Sequence, residues 1–412
     1  MDTGESPSRA LRVATVFGTR PEVIKVAPVI RVMEAQPARF RTLNVGTGQH
    51  AQLMGAFAGE LGVRIDADLA VGRANQTPLG VVERTLAGLD RWVAEHRPDV
   101  LLVQGDTTAA FAGALAGYYG RVPVGHIEAG LRSGRRDDPF PEEMHRRLIG
   151  RLASVHFAAT ARNVDALLSE GVEKHRVVHT GNTVVDAVRW AIENGSATPS
   201  VDALLSRVGD GRLVVLTTHR RESFGDTMAQ NLDAIRAFVE EYEDLRLVFP
   251  VHPNPAVREA AERHLGTCRR VHLVEPMGYF EFVRLLRAAW LVVSDSGGVQ
   301  EEAPSLGKAL LVIRKTTERP EGVEAGVAKL CDSPSKLGVA LGEAYLTDWP
   351  RRVEAIPNPY GEGDAAQRIT DHLWETFGTE RARRARTQGS EEDTWPNAAE
   401  INPAMAKTGH TS

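Results

Sequence analysis

The stretch from Arg121 to Arg147, RVPVGHIEAGLRSGRRDDPFPEEMHRR, carries a strand, a turn and a helix start in the order that an open parallel sheet requires. The run Arg121 to Ile127 is short, apolar and preceded by Gly120, the pattern of a strand covered on both faces. Glu128 then stands at the strand's carboxyl end, where sheets of this class form their ligand crevices. Pro141 suits the first turn of a helix and places Glu142 and Glu143 beside the positive end of its dipole. Acids at a helix start also serve simply to complement that dipole, so the segment by itself leaves a catalytic and a structural role for Glu142 equally open.

Outward from this segment, strand-like apolar runs alternate with longer amphipathic stretches, which predicts repeated βαβ units and an α/β fold. The first set of runs comprises Arg12–Phe17, Thr42–Gly46, Val100–Val103, Arg121–Ile127 and Val155–Ala158. A polar, turn-rich stretch, Asn194–Pro199, precedes the second set: Leu213–Thr217, Leu245–Val251, Val271–Val274, Trp290–Ser294 and Ala309–Ile313. The pattern predicts two doubly wound parallel-sheet halves joined near residue 195. Neither half has G-x-G-x-x-G after its first strand, and Gly307-Lys308 is followed by Ala309 without a glycine at the Walker spacing, so dinucleotide and P-loop readings both fail. Residues 379–412, with RARRARTQ and GSEEDTWPN, have little periodicity and read as disordered. Their basic patch, Arg381–Arg386, reads as a solvated helix end and carries no chemistry.

Composition narrows the function classes. A chain of 412 residues, 42% hydrophobic and 25% charged, is long enough to bury two ordinary cores. A net charge of -5 and a sequence pI of about 6.3 leave no basic footprint for nucleic acid. The two cysteines, Cys268 and Cys331, stand too far apart for a local metal motif and supply no disulfide scaffold, which suits a reducing cytoplasm and predicts no metal. The amino terminus, MDTGESPSRALR, lacks an apolar signal core, and no apolar run approaches the ~20 residues that span a bilayer, so neither export nor membrane anchoring is expected.

Polar residues gather where the strands end. After Phe17, the turn Gly18-Thr19-Arg20-Pro21-Glu22 opens a helix, and its amides, Arg20 and Lys25 suit an anion. Asp106 follows the run ending at Val103, where an N-cap is the competing role. His219 and His252 end strands of the second half and face the same crevice as the acids and arginines of the first. Ser294-Asp295-Ser296-Gly297-Gly298 runs from a strand into a helix, so the amides of Ser296, Gly297 and Gly298 can approach a phosphate closely. Glu302, about one turn into that helix, can accept both hydroxyls of a ribose, and the set implies a diphosphate-linked ligand.

With FGTRPEVIKVAPV, TGQH, VQGDTT, HIEAGLRSG, PFPEE, TGNTVVDA, THRRESFG, FPVHPNP, DSGGVQEEAPSLGK, TTERPEGV and NPYGEGDA in this order, the chain resembles the non-hydrolysing UDP-N-acetylglucosamine 2-epimerase family over roughly residues 11 to 377. The resemblance implies two Rossmann-like domains, over residues 1–194 and 195–364, in a glycosyltransferase-B arrangement with the active site in the cleft between them, a C-terminal helix over 365–378 crossing back to the first domain, and a homodimer. It places the catalytic acids on Asp106, Glu128 and Glu142, with His219 also in the active site. It assigns the diphosphate and uridine contacts to Arg20, Lys25, Ser296, Gly297, Gly298 and Glu302, and the aromatic against uracil to Phe282, which helical spacing alone would assign to core. Gln49, His50, Gln52 and Gln76 match the second nucleotide-sugar pocket of members regulated by their own substrate. Asn75 stands where some members have arginine, and His145 where asparagine is common.

The reaction that this resemblance implies needs such residues. The hydrogen on C2 of an acetamido sugar is not next to a carbonyl, so simple deprotonation and return is closed. Departure of UDP from C1 as a carboxylate removes the C2 proton gives a 2-acetamidoglucal. Re-addition of UDP with protonation from the opposite face gives the manno epimer. That path uses an acid/base pair and cations on the leaving diphosphate, and no cofactor; a transient-ketone path would need a dinucleotide whose fingerprint is missing. A hydrolysing epimerase, an epimerase of a modified UDP-acetamido sugar, a glycosyltransferase of the same architecture and a silent sugar-nucleotide sensor remain the competing readings.

Overall fold

The computed structural model describes residues 10–48, 51–73, 76–195, 199–220 and 224–378, with 51–53 described through their backbone. The amino terminus and the tail expected to be disordered lie outside the described residues. The first half runs β1 (Leu11–Phe17), α1 (Arg20–Glu34), β2 (Phe40–Gly46), α2 (Ala51–Glu60), β3 (Ala67–Asp68), α3 (Pro78–His96), β4 (Val100–Gln104), α4 (Thr108–Tyr119), β5 (Val124–Ala129), α5 (Glu142–Leu152), β6 (Val155–Ala158), α6 (Ala161–Ser169), β7 (Val177–His179) and α7 (Thr183–Asn194). The second half runs α8 (Pro199–Val208), β8 (Arg212–Thr217), α9 (Asp226–Glu241), β9 (Leu245–Pro250), α10 (Pro255–Leu265), β10 (Val271–Val274), α11 (Tyr279–Ala288), β11 (Leu291–Ser294), α12 (Val299–Ser305), β12 (Ala309–Val312), α13 (Pro320–Glu324), β13 (Ala328–Leu330), α14 (Pro334–Leu346) and α15 (Trp349–Val353). A last helix, α16 (Ala365–Leu373), follows.

The strands form a seven-stranded sheet of order β3-β2-β1-β4-β5-β6-β7 and a six-stranded sheet of order β10-β9-β8-β11-β12-β13. Each strand pairing within them is parallel, for example Leu11 opposite Phe40 through Phe17 opposite Gly46. Strands such as β1 and β4 are almost wholly buried because helices cover both faces, which is why their sequences are continuous apolar runs rather than alternating ones. Strand order reverses between β1 and β4 in the first sheet and between β8 and β11 in the second, and these are the points at which doubly wound sheets open a crevice.

Three edge strands, β3, β7 and β13, were not expected from sequence. They are two or three residues long and partly exposed, so they carry no apolar run to read. The strand expected from Arg121 begins at Val124 instead. Arg121 takes a left-handed conformation (φ 53°), and the Val122 amide bonds back to the Gly117 carbonyl at 2.9 Å, closing the end of α4 before the strand can start.

Two turns at the first switch point are fastened together. The Glu22 carboxylate accepts the amides of Gly18 (3.0 Å) and Thr19 (2.8 Å), and also the hydroxyl of Thr107 (2.6 Å) from the turn after β4. Helix α16 returns to the first half, with Ala366, Ile369 and Leu373 buried in the core formed by β1, α1 and β2. Its amino end is held by Asp186 of α7, whose carboxylate accepts the Ala366 amide at 3.0 Å.

Ile369 is fully buried in that core. Truncation to alanine is expected to destabilise the protein by about 2 to 5 kcal/mol. A thermal unfolding midpoint unchanged in Ile369→Ala would show that α16 is not part of the cooperative unit.

Candidate active site

The turns at the two switch points face each other across a cavity of about 510 Å³, within the range of small-molecule sites. From the first half it is lined by Arg20, Lys25, Asp106 and Glu128, and from the second by His219, Phe282, Ser296, Gly298 and Glu302. Gly297 lies beside it against Arg319: a Cβ at that position would meet the guanidinium at 3.0 Å, so the absent side chain makes room for the arginine. Glu142, half-buried at the start of α5, does not line this cavity. Its neighbour Glu143 is fully buried and bound by the Ser133 amide, Arg146 and Arg147, each at 3.0 Å, which is a structural role.

Glu128 is the most constrained residue of the site. Its backbone is left-handed (φ 64°), and the pairing of β5 with β6 shifts register between Ile127 and Ala129. A non-glycine residue there stores strain, and the shift turns the Glu128 side chain into the cleft instead of along the pleat. Lys25 Nζ lies 2.6 Å from its carboxylate, Arg319 Nη2 3.5 Å, and Gln104 donates to its other oxygen. Burial pushes the Glu128 carboxyl up, but Lys25 and Arg319 outweigh burial and hold it below the usual carboxylate range. Nearby Asp106 acts in the opposite sense, raising it.

Asp106 is gripped by Arg146, at 2.8 Å from Nε and 2.7 Å from Nη2. The turn that carries it is set by two imidazoles. His126 Nε2 lies 2.8 Å from the Gly105 carbonyl and His145 Nδ1 2.9 Å from the Asp106 carbonyl. A carbonyl only accepts, so each of these nitrogens carries the proton. Burial pushes His126 down to about 4, so it stays neutral in this role. His145 also stacks on Phe111, ring centroids 5.1 Å apart.

On the opposite wall, buried Asp295 accepts the amides of His219 (2.9 Å) and Arg220 (3.0 Å), while His219 Nδ1 lies 3.2 Å from it. Burial pushes the Asp295 carboxyl up, but these partners hold it below the usual range. The carboxylate thus orients the His219 ring, which stacks on His252 at 5.7 Å and lines the cleft. Arg20, exposed at the start of α1, lies over the Phe57 ring at 4.3 Å. Glu302 is buried, and burial together with neighbouring Glu301 pushes its carboxyl up to about 7.

Two central residues were missed at the sequence level. Arg319, before the short helix α13, reaches Glu301 at 2.6 Å and Glu128 at 3.5 Å, and Glu301 also lies 2.8 Å from Lys25. TTERPEGV and QEE contain both residues, but nothing in their spacing shows that they meet. Of the residues matched to a second pocket, Gln49 and His50 lie outside the described residues, as does the side chain of Gln52. Gln76 lies away from the cavity and accepts the Arg73 amide (3.1 Å) and Arg84 Nη2 (2.9 Å). Among the described residues, no group of three or more His, Cys, Asp or Glu is placed to hold a metal ion, and no helix is long and apolar enough to cross a membrane.

Residues 33–374 match the family model described as UDP-N-acetylglucosamine 2-epimerase. The UDP-N-acetylglucosamine 2-epimerase of Bacillus subtilis is 42% identical over 372 residues, 90% of this chain and 97% of that protein. The crystal structure of the Neisseria meningitidis UDP-GlcNAc 2-epimerase bound to UDP-GlcNAc superposes with a TM-score of 0.84 at 37% identity, covering 89% of this chain and 100% of that one. The Methanocaldococcus jannaschii UDP-GlcNAc 2-epimerase, in complex with UDP-GlcNAc and UDP, superposes with a TM-score of 0.76 at 30% identity and the same coverage.

The folded-state value of Glu302 lies above its ordinary 4.5, so its ionisation costs stability. That cost is absent at low pH, grows as pH rises, and is complete above about 7. Glu302→Gln should therefore be more stable than the parent by a margin that widens between about pH 5 and pH 8 by roughly 2 kcal/mol. Unfolding curves with a pH-independent difference would place the Glu302 carboxyl in a solvated setting.

Proposed function

The chain belongs to the UDP-N-acetylglucosamine 2-epimerase family and is an isomerase of that class with the glycosyltransferase-B arrangement; from this premise we propose that it interconverts UDP-N-acetylglucosamine and UDP-N-acetylmannosamine without hydrolysis, by elimination of UDP and its re-addition. The observation that carries this reading is the pair of carboxylates, Asp106 and Glu128, that share one cavity with His219 and with the amides after β11.

In the proposed reaction the diphosphate lies against Lys25, Arg319, Arg20 and the turn Ser296–Gly298, with the α12 dipole adding attraction. The nucleoside lies between Phe282 and Glu302, the latter accepting from the ribose. Glu128 and Asp106 then flank C2 of the sugar, and one takes the proton as the C1–O bond to UDP breaks. His219, already oriented by Asp295, gives charge or a proton to the leaving phosphate. Return of UDP to C1 with protonation of C2 by the other acid completes the inversion. Acid/base groups so placed contribute about 10²- to 10⁴-fold each, and charge stabilisation of the departing diphosphate supplies much of the rest.

The same proposal divides the chain into domains at residues 194 and 195, with 365–378 returning to the first, and sets the enzyme in the cytoplasm. Cys268 and Cys331, free and buried, suit that compartment. It also makes the protein a homodimer. Tyr118 and Tyr119, 60% and 77% exposed at the end of α4, and the exposed Leu148 of α5, the helix on which α4 packs, offer apolar surface for a second copy.

Purified protein in D₂O with UDP-N-acetylglucosamine and no added cofactor should form UDP-N-acetylmannosamine carrying deuterium at C2, followed by proton NMR. Accumulation of UDP with free sugar would replace this reading by the hydrolysing one, and product formed only with an acceptor would make the protein a transferase. Asp106→Asn and Glu128→Gln should each lower turnover by about 10²- to 10⁴-fold with UDP binding kept. Near-normal turnover in Glu142→Gln would remove Glu142 from the proton traffic, and equal small losses in His219→Ala and His252→Ala would count against the role given to His219. Sedimentation velocity should give a dimer that Tyr119→Glu converts to monomer.

A further inference from the structure

The charges where the two halves meet neutralise one another within the protein. Lys25 Nζ lies 2.6 Å from Glu128 and 2.8 Å from Glu301. Arg319 lies 2.6 Å from Glu301 through Nε and 3.5 Å from Glu128 through Nη2. Two cations thus face two carboxylates in a closed ring of alternating sign. Arg319 also has Glu318 at 3.8 Å, and Glu318 is itself bound by Arg314 at 2.7 Å. A diphosphate entering the cleft meets cations that already have anionic partners.

The two carboxylates of the ring differ in what they can do. Glu128 lines the cavity, whereas Glu301 does not, and its side chain is 2% exposed. Glu301 approaches both cations from behind, from the first turn of α12, the helix that follows the Ser296–Gly298 turn. Its Oε2 meets Lys25 at ion-pair distance without an aligned hydrogen bond, so this contact can be released without breaking a directed bond.

We propose that Glu301 is a positioning residue that pairs with Lys25 and Arg319 in the place of the substrate's diphosphate, so that nucleotide binding exchanges one anion for another on the same two cations. The exchange does two things. It keeps two long, flexible cations in register while the cleft is empty, at a cost in affinity. It also loosens the grip of Lys25 and Arg319 on Glu128 as they turn to the diphosphate, which frees that carboxylate to act on a proton only when substrate is present. On the return path Glu301 takes the cations back and eases release of UDP. The inference rests on the reading of the cleft as the nucleotide-sugar site.

Calorimetric titration with UDP, together with steady-state kinetics on UDP-N-acetylglucosamine, tests it. Glu301→Gln should tighten UDP by about five- to tenfold, and KM should fall by a similar factor while kcat does not rise. Glu301→Asp, which keeps the charge but draws it back from the cations, should tighten UDP by about twofold and carries the test if the glutamine variant does not fold. Unchanged or weaker UDP binding in the folded variants overturns the proposal and makes Glu301 a simple scaffold. Lys25→Ala and Arg319→Ala report on the underlying reading separately: if neither weakens UDP, the nucleotide does not bind here, whatever Glu301 does.

Discussion

Lys25 and Glu128 from one half and Glu301 and Arg319 from the other alternate in sign at separations of 2.6 to 3.5 Å, and none of their side chains is more than 10% exposed. An isolated charge at this depth would be strongly unfavourable, and an incomplete set would leave one of them without its partner. Each charge has one partner in its own half, Lys25 with Glu128 and Arg319 with Glu301, and a second across the cleft, Lys25 with Glu301 at 2.8 Å and Arg319 with Glu128 at 3.5 Å. Burial pushes the Lys25 ammonium down, yet Glu128 and Glu301 hold it above its ordinary value, and Arg319 is held above its own in the same way. The ring therefore ties the geometry of the cleft to the relative position of the two sheets.

The surrounding structure delivers the ring's members to one place. Glu22 locks the turn after β1 to the turn after β4, which fixes the start of α1 and with it Lys25. The left-handed backbone at Glu128 redirects a strand-end side chain. Gly297 leaves the space that the Arg319 guanidinium fills. Each of these features is locally unfavourable or restrictive, and each is compensated by the electrostatics at the centre.

Around the ring, acids and imidazoles are sorted by their neighbours. Asp106 and Asp295 are held by cations and amides and Glu128 by the ring, while Glu302 is buried beside another acid, Glu301, with Lys25 opposing their effect. Environments that separate carboxyl groups in this way are the usual means by which one site performs both acid and base steps. His126 and His145 serve differently, as donors that fix the turn bearing Asp106.

The α/β class, the two sheets and most of their strands are legible in the amino-acid sequence, because continuous apolar runs and the turn residues between them are local properties. Short edge strands such as β3 and β13 were lost because a strand of two or three residues buries too little to leave a pattern. Turn composition and a family resemblance together pointed to Asp106, Glu128, His219, Ser296 and Glu302, and the structure brings all five to one cavity while leaving Glu142 off its lining. Arg319 and Glu301 stand within recognisable motifs, but nothing local in the sequence gives either a role. Arg319 meets Glu128 across 191 residues of chain, and Lys25 meets it across 103. Which buried charge finds which partner is a property of the packed halves, since periodicity reports only what a residue's near neighbours in the chain impose. The strand ends were therefore legible in the sequence, and the ring that joins them was decided by the tertiary structure alone.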